Sequence, residues 1–319
     1  MNQSEQKLND FIGGRTLEIS ADDRSLTEPY LLFLKKIYGQ KLEAVIFYGS
    51  CLSPKMRSAT STPDFFAIVS DGKISGHSFF TRALHFYVPP ATQTARLDTP
   101  DSTVFKYLYL DLQQLAAVCG HHMKDIFAAG RLSKRVKLIY YRDEKAKQDV
   151  VSALASAVVS LTAPVCASLP QQFTFQQYLK TFVGFSYLGE YRIETPGKVD
   201  SILGSFEDYL FDLHSLSLEA AESHGLIRAA NEDLYDNLTS EPQKRAARKL
   251  LRRSKARGLM RWPKVGLTVG HWSEVLFGKL QRKNPDFKVS AFARNHPLIC
   301  ALPYLIRFIA GGYLKVNRD

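Results

Sequence analysis

Cysteine is scarce in this chain, and long apolar runs are absent from most of it. The four cysteines, at positions 51, 119, 166 and 300, show no CxxC or Cys/His spacing, so the sequence suggests neither a zinc site nor a disulfide framework. Such a pattern fits a reducing, cytosolic-type compartment. The longest strongly apolar stretch, 298–306, is interrupted by Pro303 and followed by Arg307. It is too short to span a bilayer.

The first ten residues carry no recognisable targeting signal. They lack the apolar core of a secretory signal peptide and the Arg-rich amphipathic pattern of a transit peptide. With 319 residues and 45% apolar content, the chain can bury a sizeable core, and one or two domains are expected.

Acidic residues are rare in the last quarter of the chain. From Lys244 onward there are 18 Lys and Arg but only 3 Asp and Glu, whereas residues 1–243 carry 24 basic and 28 acidic residues. The net charge of +11 therefore belongs to the C-terminal segment. Its expected partner is a polyanionic surface, either a membrane or a nucleic acid.

Two apolar, β-rich stretches carry the first candidate site. Val45–Ser50 ends in Gly49-Ser50, and 63–69 opens with Pro63-Asp64. This outline resembles the palm of DNA polymerase β-like nucleotidyltransferases. Gly49 would let the backbone approach phosphates without Cβ interference, and Ser50 would add a hydroxyl and backbone N–H groups. Asp64 is a hard oxygen ligand that would hold Mg²⁺ on the triphosphate.

A second carboxylate is missing where such sites usually have one. Two residues after Asp64, on the same strand face, stands Phe66. Either another segment supplies the second ligand, with Asp71 and Asp111 the nearest candidates, or the site is inactive.

The sequence predicts an α+β fold. Strands are expected at 42–47, 63–69 and 103–110, and helices at 29–38, 75–84, 112–119, 123–129, 144–161, 173–188, 199–223 and 242–255. Gly39, Gly130 and Gly258 are expected to end helices, and Pro164 to close another. Few β signals follow residue 170. We therefore predict a mixed-sheet domain over 1–168, a mostly helical domain over 169–258 and a basic, amphipathic segment over 259–319.

Four segments, in the same order, resemble the mitochondrial CDP-diacylglycerol synthase family, the translocator assembly and maintenance proteins. They are Tyr48-Gly49-Ser50 with Asp64–Val69, Lys106-Tyr107, Ala129–Val136, and Gly184–Arg192 followed by Lys198-Val199. The family shows similar Ala-Gly-Arg-Leu-x-Lys-x-Val and Gly-x-Ser-Tyr-x-Gly-Asp-Phe-Arg segments, and it too has an apolar residue at the position of Phe66. The resemblance spans residues 44 to 215. Ala67 and Glu190 depart from the pattern.

The resemblance implies a nucleotidyltransferase domain followed by a winged-helix-like domain. It also implies the reaction of CTP with phosphatidic acid to give CDP-diacylglycerol and pyrophosphate, with Mg²⁺ as cofactor and peripheral membrane attachment. Without a transit peptide, a bacterial member on the cytoplasmic face of the inner membrane is expected.

The same resemblance implies roles for individual residues. Asp64 would hold the metal and, with Lys106, serve catalysis. The nucleotide would be bound by Gly49, Ser50, Arg131 and Lys134, with the phosphatidate head group as the alternative partner of Arg131 and Lys134. The lipid phosphate would be bound by Tyr187 and Arg192. If the strand face that carries Lys106 is buried, Lys106 is expected to contact a phosphate, because an unpaired buried charge is costly. The alternative is a solvent-facing lysine on an edge strand.

The C-terminal segment has two interpretations. The helix at 242–255 has a narrow apolar stripe (Ala246, Ala247, Leu250, Leu251) among Arg and Lys, and the tail from His296 is strongly apolar. Both fit an interfacial membrane anchor, and both also fit packing onto the domain. Nucleic acid is the less favoured partner.

Two rival functions stay open at this point. One is a nucleotidyltransferase that acts on RNA, protein or a small molecule, and the other is an inactive membrane adaptor.

Overall fold

The computed structural model describes residues 3–57, 61–71, 85, 87–97, 104–189, 197–268, 277, 288 and 290, and all statements below concern these residues. The helices are α1 (Gln3–Thr16), α2 (Ala21–Tyr38), α3 (Leu112–Cys119), α4 (Ala129–Leu132), α5 (Glu144–Cys166), α6 (Phe175–Leu188), α7 (Lys198–Ser205), α8 (Glu207–Ser223) and α9 (Glu241–Thr268). The strands are β1 (Leu42–Tyr48), β2 (Asp64–Val69), β3 (Ala91–Arg96), β4 (Val104–Asp111), β5 (Val136–Tyr141), β6 (Gln172–Thr174), β7 (Ile227–Ala229) and β8 (Leu234–Asn237).

A mixed five-stranded sheet in the order β3-β4-β2-β1-β5 forms the centre of the first half. β1 is antiparallel to both β2 and β5, β2 is parallel to β4, and β3 is antiparallel to β4. The predicted α+β class with a mixed sheet is confirmed.

Both faces of this sheet are covered, which explains the nearly continuous apolar runs of its central strands. Ile46, Phe66 and Leu108 belong to a large core with α1, α5, α6 and α8. Phe47 and Phe65, one residue away in their strands, belong to a second core against α2. This alternation follows from the two-residue period of a strand.

The second half contains a small antiparallel sheet in the order β6-β8-β7 among its helices. The domain predicted as mostly helical therefore also contains three short strands that were not predicted. The three strands have only three or four residues each, too short for a pattern to stand out. The core that lies on the main sheet continues without interruption into α6 and α8.

Several predicted helix ends are wrong. α5 runs past Pro164 to Cys166, because Val165 and Cys166 are buried in the core. α9 runs through Gly258 to Thr268. α2 begins at Ala21, eight residues before Pro29, with a capping box formed by Ser20 and Asp23.

Other differences concern missed or misplaced elements. Residues 123–128 are not helical; the short α4 begins at Ala129, so Gly130 lies inside a helix rather than after one. The predicted helix at 199–223 is interrupted at Phe206. α1, β3 and β5 were not predicted. The helix expected at 75–84 lies outside the described residues.

Candidate active site at one edge of the sheet

The strand directions bring four chain segments to one edge of the main sheet. β1 ends there at Tyr48, whose partners are Asp64, the first residue of β2, and Val136, the first residue of β5. β4 begins at the same edge because it is parallel to β2, with Phe65 paired to Tyr107. Gly49-Ser50, Asp64, Lys106 and the segment before β5 therefore share one end of the sheet.

Gly49 forms the corner that follows β1. Its φ of +93° lies in the region that favours glycine. A Cβ on Gly49 would lie 3.1 Å from Oδ2 of Asp64, so the glycine backbone sits against the carboxylate. Ser50 then opens a short turn of 3₁₀ helix, Ser50–Leu52. The Gly-Ser corner and the aspartate thus lie side by side.

Lys106 forms an ion pair with Asp64. The Lys106 ammonium lies 3.3 Å from Oδ1 of Asp64, and the two side chains are 41% and 33% exposed. Both groups are therefore held together while still accessible to a ligand. The exposure means that Lys106 is neither a buried charge nor an isolated edge lysine.

The second carboxylate expected near Asp64 is not supplied by the candidates named from the sequence. Phe66 is fully buried, with its ring 4.8 Å from that of Tyr48. Asp111 pairs with Val69, at the opposite end of β2, and its carboxylate caps α3 by accepting from Gln114 N–H. Asp71 follows Val69 at that far end. Within the described parts of the chain, no group of three or more His, Cys, Asp or Glu is placed to hold a metal ion.

A second polar group forms where α4 meets α6. The Lys134 ammonium donates to Ser186 Oγ at 2.8 Å and lies 4.5 Å from the centre of the Tyr187 ring. Gly130 makes this approach possible, because a Cβ there would lie only 2.4 Å from Ser186 Cβ. Two sequence segments more than 50 residues apart therefore meet through Gly130 and Lys134. Lys134 is two residues before Val136, and so near the sheet edge.

A buried polar cluster lies near Lys134. Tyr178 Oη lies 2.8 Å from Ser217 Oγ, and His214 Nδ1 is 3.4 Å from the same hydroxyl. Burial, together with the nearby charge of Lys134, lowers the pKa of His214 to about 3. His214 is therefore a neutral core histidine at physiological pH.

Arg131 is held by Phe127, in the turn that precedes α4. Its guanidinium donates to Phe127 O at 2.6 Å and stacks on the Phe127 ring at 3.7 Å. Arg261 of α9 also contacts the Phe127 ring, with its guanidinium carbon 4.2 Å from the ring centre. No described contact joins Arg131 directly to Asp64. Arg192, the remaining candidate, lies outside the described residues.

Helix α9 is tied to the rest of the protein by cations. Arg257 and Arg261 bind the two oxygens of buried Asp125 at 2.6 and 2.8 Å. Lys264 donates to the carbonyls of Val88 and Pro90 at 2.6 and 2.9 Å. Burial, with Arg261 and Arg257 close by, lowers the pKa of Lys264 to about 7.

The apolar stripe predicted on α9 mostly faces the protein. Ala247 is buried, and Leu250 and Leu251 pack against the main core, whereas Ala246 is exposed. For this helix, packing on the domain is the correct interpretation of the stripe. The outward face is basic and carries exposed Arg245, Arg248, Lys249, Arg252 and Lys255. The apolar tail from His296 lies outside the described residues.

One helix in the described part of the chain, α5, is long and apolar enough to cross a bilayer. However, 67% of its apolar window is buried inside the protein, as in the central helix of a folded domain.

Some residues that shape the site were missed from the sequence. Arg57 donates a hydrogen bond to the carbonyl of Cys51, directly after the Gly-Ser corner. The Ser186 hydroxyl accepts a hydrogen bond from Lys134. Nothing in the sequence separates Arg57 from ordinary polar residues, whereas Ser186 lies in the Gly184–Arg192 segment that resembles the family.

Comparison with known proteins identifies the family. The sequence model of the family described as "Phosphatidate cytidylyltransferase, mitochondrial" matches residues 97–265, which is more than half of the chain. The matched region includes Lys106, Arg131, Lys134, Tyr187 and Arg192, whereas Gly49, Ser50 and Asp64 precede it. No curated protein matches the chain. The chain belongs to the phosphatidate cytidylyltransferase family, the nucleotidyltransferases that use CTP and phosphatidate to make CDP-diacylglycerol in phospholipid biosynthesis.

Proposed function

We propose that the sheet edge around Asp64 is the active site, and that CTP and the phosphate of phosphatidate meet there. The observation that carries this proposal is the contact of Asp64 with both Lys106 and Gly49. These residues come from three segments, and a structural ion pair alone would not require a positive-φ glycine pressed against the carboxylate. Lys134 lies two residues before β5, and so close to this edge. Together with Tyr187 it would bind the lipid phosphate or the triphosphate.

The residues at this edge fit Mg²⁺ held jointly by protein and substrate. Mg²⁺ commonly takes one or two carboxylates and completes its shell with water and phosphate oxygens, and Asp64 offers one partly exposed carboxylate. When bound, the ion would neutralise charge on the triphosphate. Asp64 would hold it, with Lys106 free to turn from the carboxylate towards a phosphate oxygen.

Catalysis of this reaction depends mainly on positioning the two substrates and neutralising their charges. An oxygen of the phosphatidate phosphate attacks the α-phosphorus of CTP, the bond to the β-phosphate oxygen breaks, and pyrophosphate leaves. The attacking phosphate is largely ionised near neutral pH, so no general base is needed. Lys106, Arg131 and Lys134 would offset the negative charges that must approach one another.

The arrangement of elements supports the finer fold assignment. The main sheet would be a nucleotidyltransferase palm, with the Gly-Ser corner after β1 and the aspartate opening β2. In the second half, the order β6, α6, α7, α8, β7, β8, with β8 central in the small sheet, supports a winged-helix-like domain.

The outward face of α9 supports a peripheral position on an anionic membrane, which is where phosphatidate lies. Its five exposed cations lie along one side of the helix, and each basic residue near an anionic surface contributes about 1 kcal/mol. A cytoplasmic protein on the inner membrane is consistent with this proposal. Replacing Arg245, Arg248 and Arg252 by Gln should weaken co-sedimentation with phosphatidate-containing vesicles. The proposal fails if binding is unchanged at low salt.

The active-site proposal is tested with Asp64→Asn, which keeps the shape of the side chain but removes its charge. Purified protein is incubated with CTP, Mg²⁺ and phosphatidic acid in detergent, and CDP-diacylglycerol is measured. We expect kcat to fall about a hundredfold or more, as when a group that stabilises transition-state charge is removed.

The matched control is Asp71→Asn, an exposed aspartate just beyond the far end of the same strand. It should retain normal activity. Equal activity of Asp64→Asn and wild-type protein would refute the proposed site. Transfer of the nucleotide to RNA or protein, with none to lipid, would instead favour a different acceptor.

A further inference from the structure

The backbone after the Gly-Ser corner folds back on itself, and Arg57 closes the loop. Residues Ser50–Leu52 and Pro54–Met56 form two successive 3₁₀ turns. Arg57 then donates twice to the Cys51 carbonyl, from Nη2 at 2.8 Å and from Nε at 3.3 Å. A planar guanidinium that donates from two nitrogens fixes the direction of that peptide group.

Arg57 also lies close to a buried carboxylate, that of Asp23. Its Nη2 lies 4.0 Å from Oδ1 of Asp23, and the other oxygen of Asp23 accepts from Lys137. Asp23 and Lys137 are 4% and 6% exposed. Burial pushes the pKa of Asp23 upward, but the hydrogen bonds from Lys137 and Ser20 outweigh burial and hold the pKa below its ordinary value. Asp23 is therefore an anion at physiological pH, with a cation on each oxygen.

The network connects the loop to fixed parts of the fold. Asp23 lies in the first turn of α2, where it forms the capping box with Ser20. Lys137 lies in β5 and pairs with Phe47, two residues before Gly49. The position of the peptide group after Ser50 is therefore fixed by contacts that lead to α2 and β5, and not by the loop alone.

From this geometry we propose that Arg57 is a positioning residue for the nucleotide-binding corner, acting through the Cys51 carbonyl and oriented by Asp23. This inference rests on the proposed function, because it assumes that CTP binds at Gly49-Ser50. Arg57 keeps the corner in its binding shape before CTP arrives, so its loss should appear as weaker CTP binding.

The test compares Arg57→Gln, Arg57→Lys and Asp23→Asn by steady-state kinetics. Arg57→Gln should raise KM for CTP about tenfold, the size expected for a hydrogen bond from a charged group. KM for phosphatidate should change little. Arg57→Lys keeps the charge but offers a single point donor, so an intermediate KM is expected. Asp23→Asn should raise KM for CTP, and the double variant Asp23→Asn, Arg57→Gln should be no worse than Arg57→Gln alone.

Matched controls are Lys55→Gln, an exposed lysine of the same loop, and Asp22→Asn, the exposed neighbour of Asp23. Both should bind CTP normally. If Arg57→Gln alone is impaired while Asp23→Asn is normal, Arg57 touches the nucleotide directly and the positioning role is wrong. Normal KM values in both variants, or equal changes in KM for both substrates, also overturn it. If Arg57→Gln does not fold, Arg57→Lys and Asp23→Asn still decide the matter.

Asp64→Asn, measured in parallel, separates the two proposals. If it is inactive while Arg57→Gln is normal, the active site stands and the positioning role falls. If it is fully active, the site itself is wrong, and the role of Arg57 falls with it.

Discussion

The close approach of α4 to α6 gives a sharp stability prediction. Gly130→Ala would place a Cβ 2.4 Å from Ser186 Cβ and 3.2 Å from Ser186 Cα. Carbon atoms pack best at about 3.5–4.0 Å, so the helices must separate by about 1 Å. No rotamer change relieves the contact, since both Cβ atoms are fixed to the backbone.

The expected cost follows from two opposing effects. Overpacking a well-packed site costs about 1–3 kcal/mol. Alanine is favoured over glycine in a helix interior by up to about 1 kcal/mol, and less in a helix as short as α4. The steric effect is larger, so we expect Gly130→Ala to lower the free energy of unfolding by about 1–2 kcal/mol. The displacement should also weaken the Lys134–Ser186 hydrogen bond and reduce kcat/KM.

Urea unfolding followed by circular dichroism measures the stability of this variant. Gly14→Ala is the matched control: the added Cβ meets nothing within 4 Å in α1, so the stability should be unchanged or slightly higher. Ser186→Gly removes the clashing Cβ, and the double variant Gly130→Ala, Ser186→Gly should recover part of the loss. Ser186→Ala reports the loss of the hydroxyl alone.

Two results would refute this reasoning. If Gly130→Ala is as stable as wild-type protein, the two helices do not approach as closely as described. If Ser186→Gly gives no recovery in the Gly130→Ala background, the cost comes from elsewhere than the contact with Ser186.

Helix α9 provides two further predictions. Asp125→Asn leaves Arg257 and Arg261 without their carboxylate, so the free energy of unfolding should fall by about 3–5 kcal/mol. The control Asp149→Asn removes an exposed ion pair and should lower the free energy of unfolding by no more than about 0.5 kcal/mol. Urea unfolding measures both variants. The folded protein releases the Lys264 proton above about pH 7, whereas the unfolded chain keeps it up to about pH 10.5. Unfolding therefore takes up a proton in this window, and stability should rise with pH there. Lys264→Met should lack this rise; identical pH profiles would contradict the assignment.

The central strands were predictable because burial on both faces leaves a strong sequence signal. β1, β2 and β4 are nearly continuous apolar runs, and all three lie within one or two residues of the predicted positions. β3 reads Ala-Thr-Gln-Thr-Ala-Arg and is mostly half-buried, as expected for an edge strand. It carries too little apolar pattern to be found from sequence alone.

Helix ends were less predictable because tertiary contacts outweigh local preferences. Gly258 and Pro164 are ordinary helix-ending residues, yet neither ends its helix. In α9, the residues beyond Gly258 include Arg261 and Lys264, whose buried hydrogen bonds hold the helix in place. The loss of helix propensity at a glycine, about 1 kcal/mol, is smaller than the contribution of such contacts.

In the candidate site, too, some contacts follow from the local sequence and others depend on which strands pair. The contact between Gly49 and Asp64 follows from two adjacent antiparallel strands, so the sequence pattern was sufficient to predict it. Lys106 joins them because β4 is parallel to β2, a pairing that no local pattern specifies.

The basic character of α9 illustrates why composition alone assigns partners poorly. The excess of positive charge in the last quarter predicted a polyanionic partner for the whole segment. In the fold, Arg257, Arg261 and Lys264 are used internally, on a buried carboxylate and on backbone carbonyls. These internal cations hold α9 in place and thereby orient the exposed ones, such as Arg248 and Arg252, on a fixed surface. Any attraction to an anionic membrane is therefore directional: it acts on one face of a docked helix, whereas a free basic tail would present its charge on all sides.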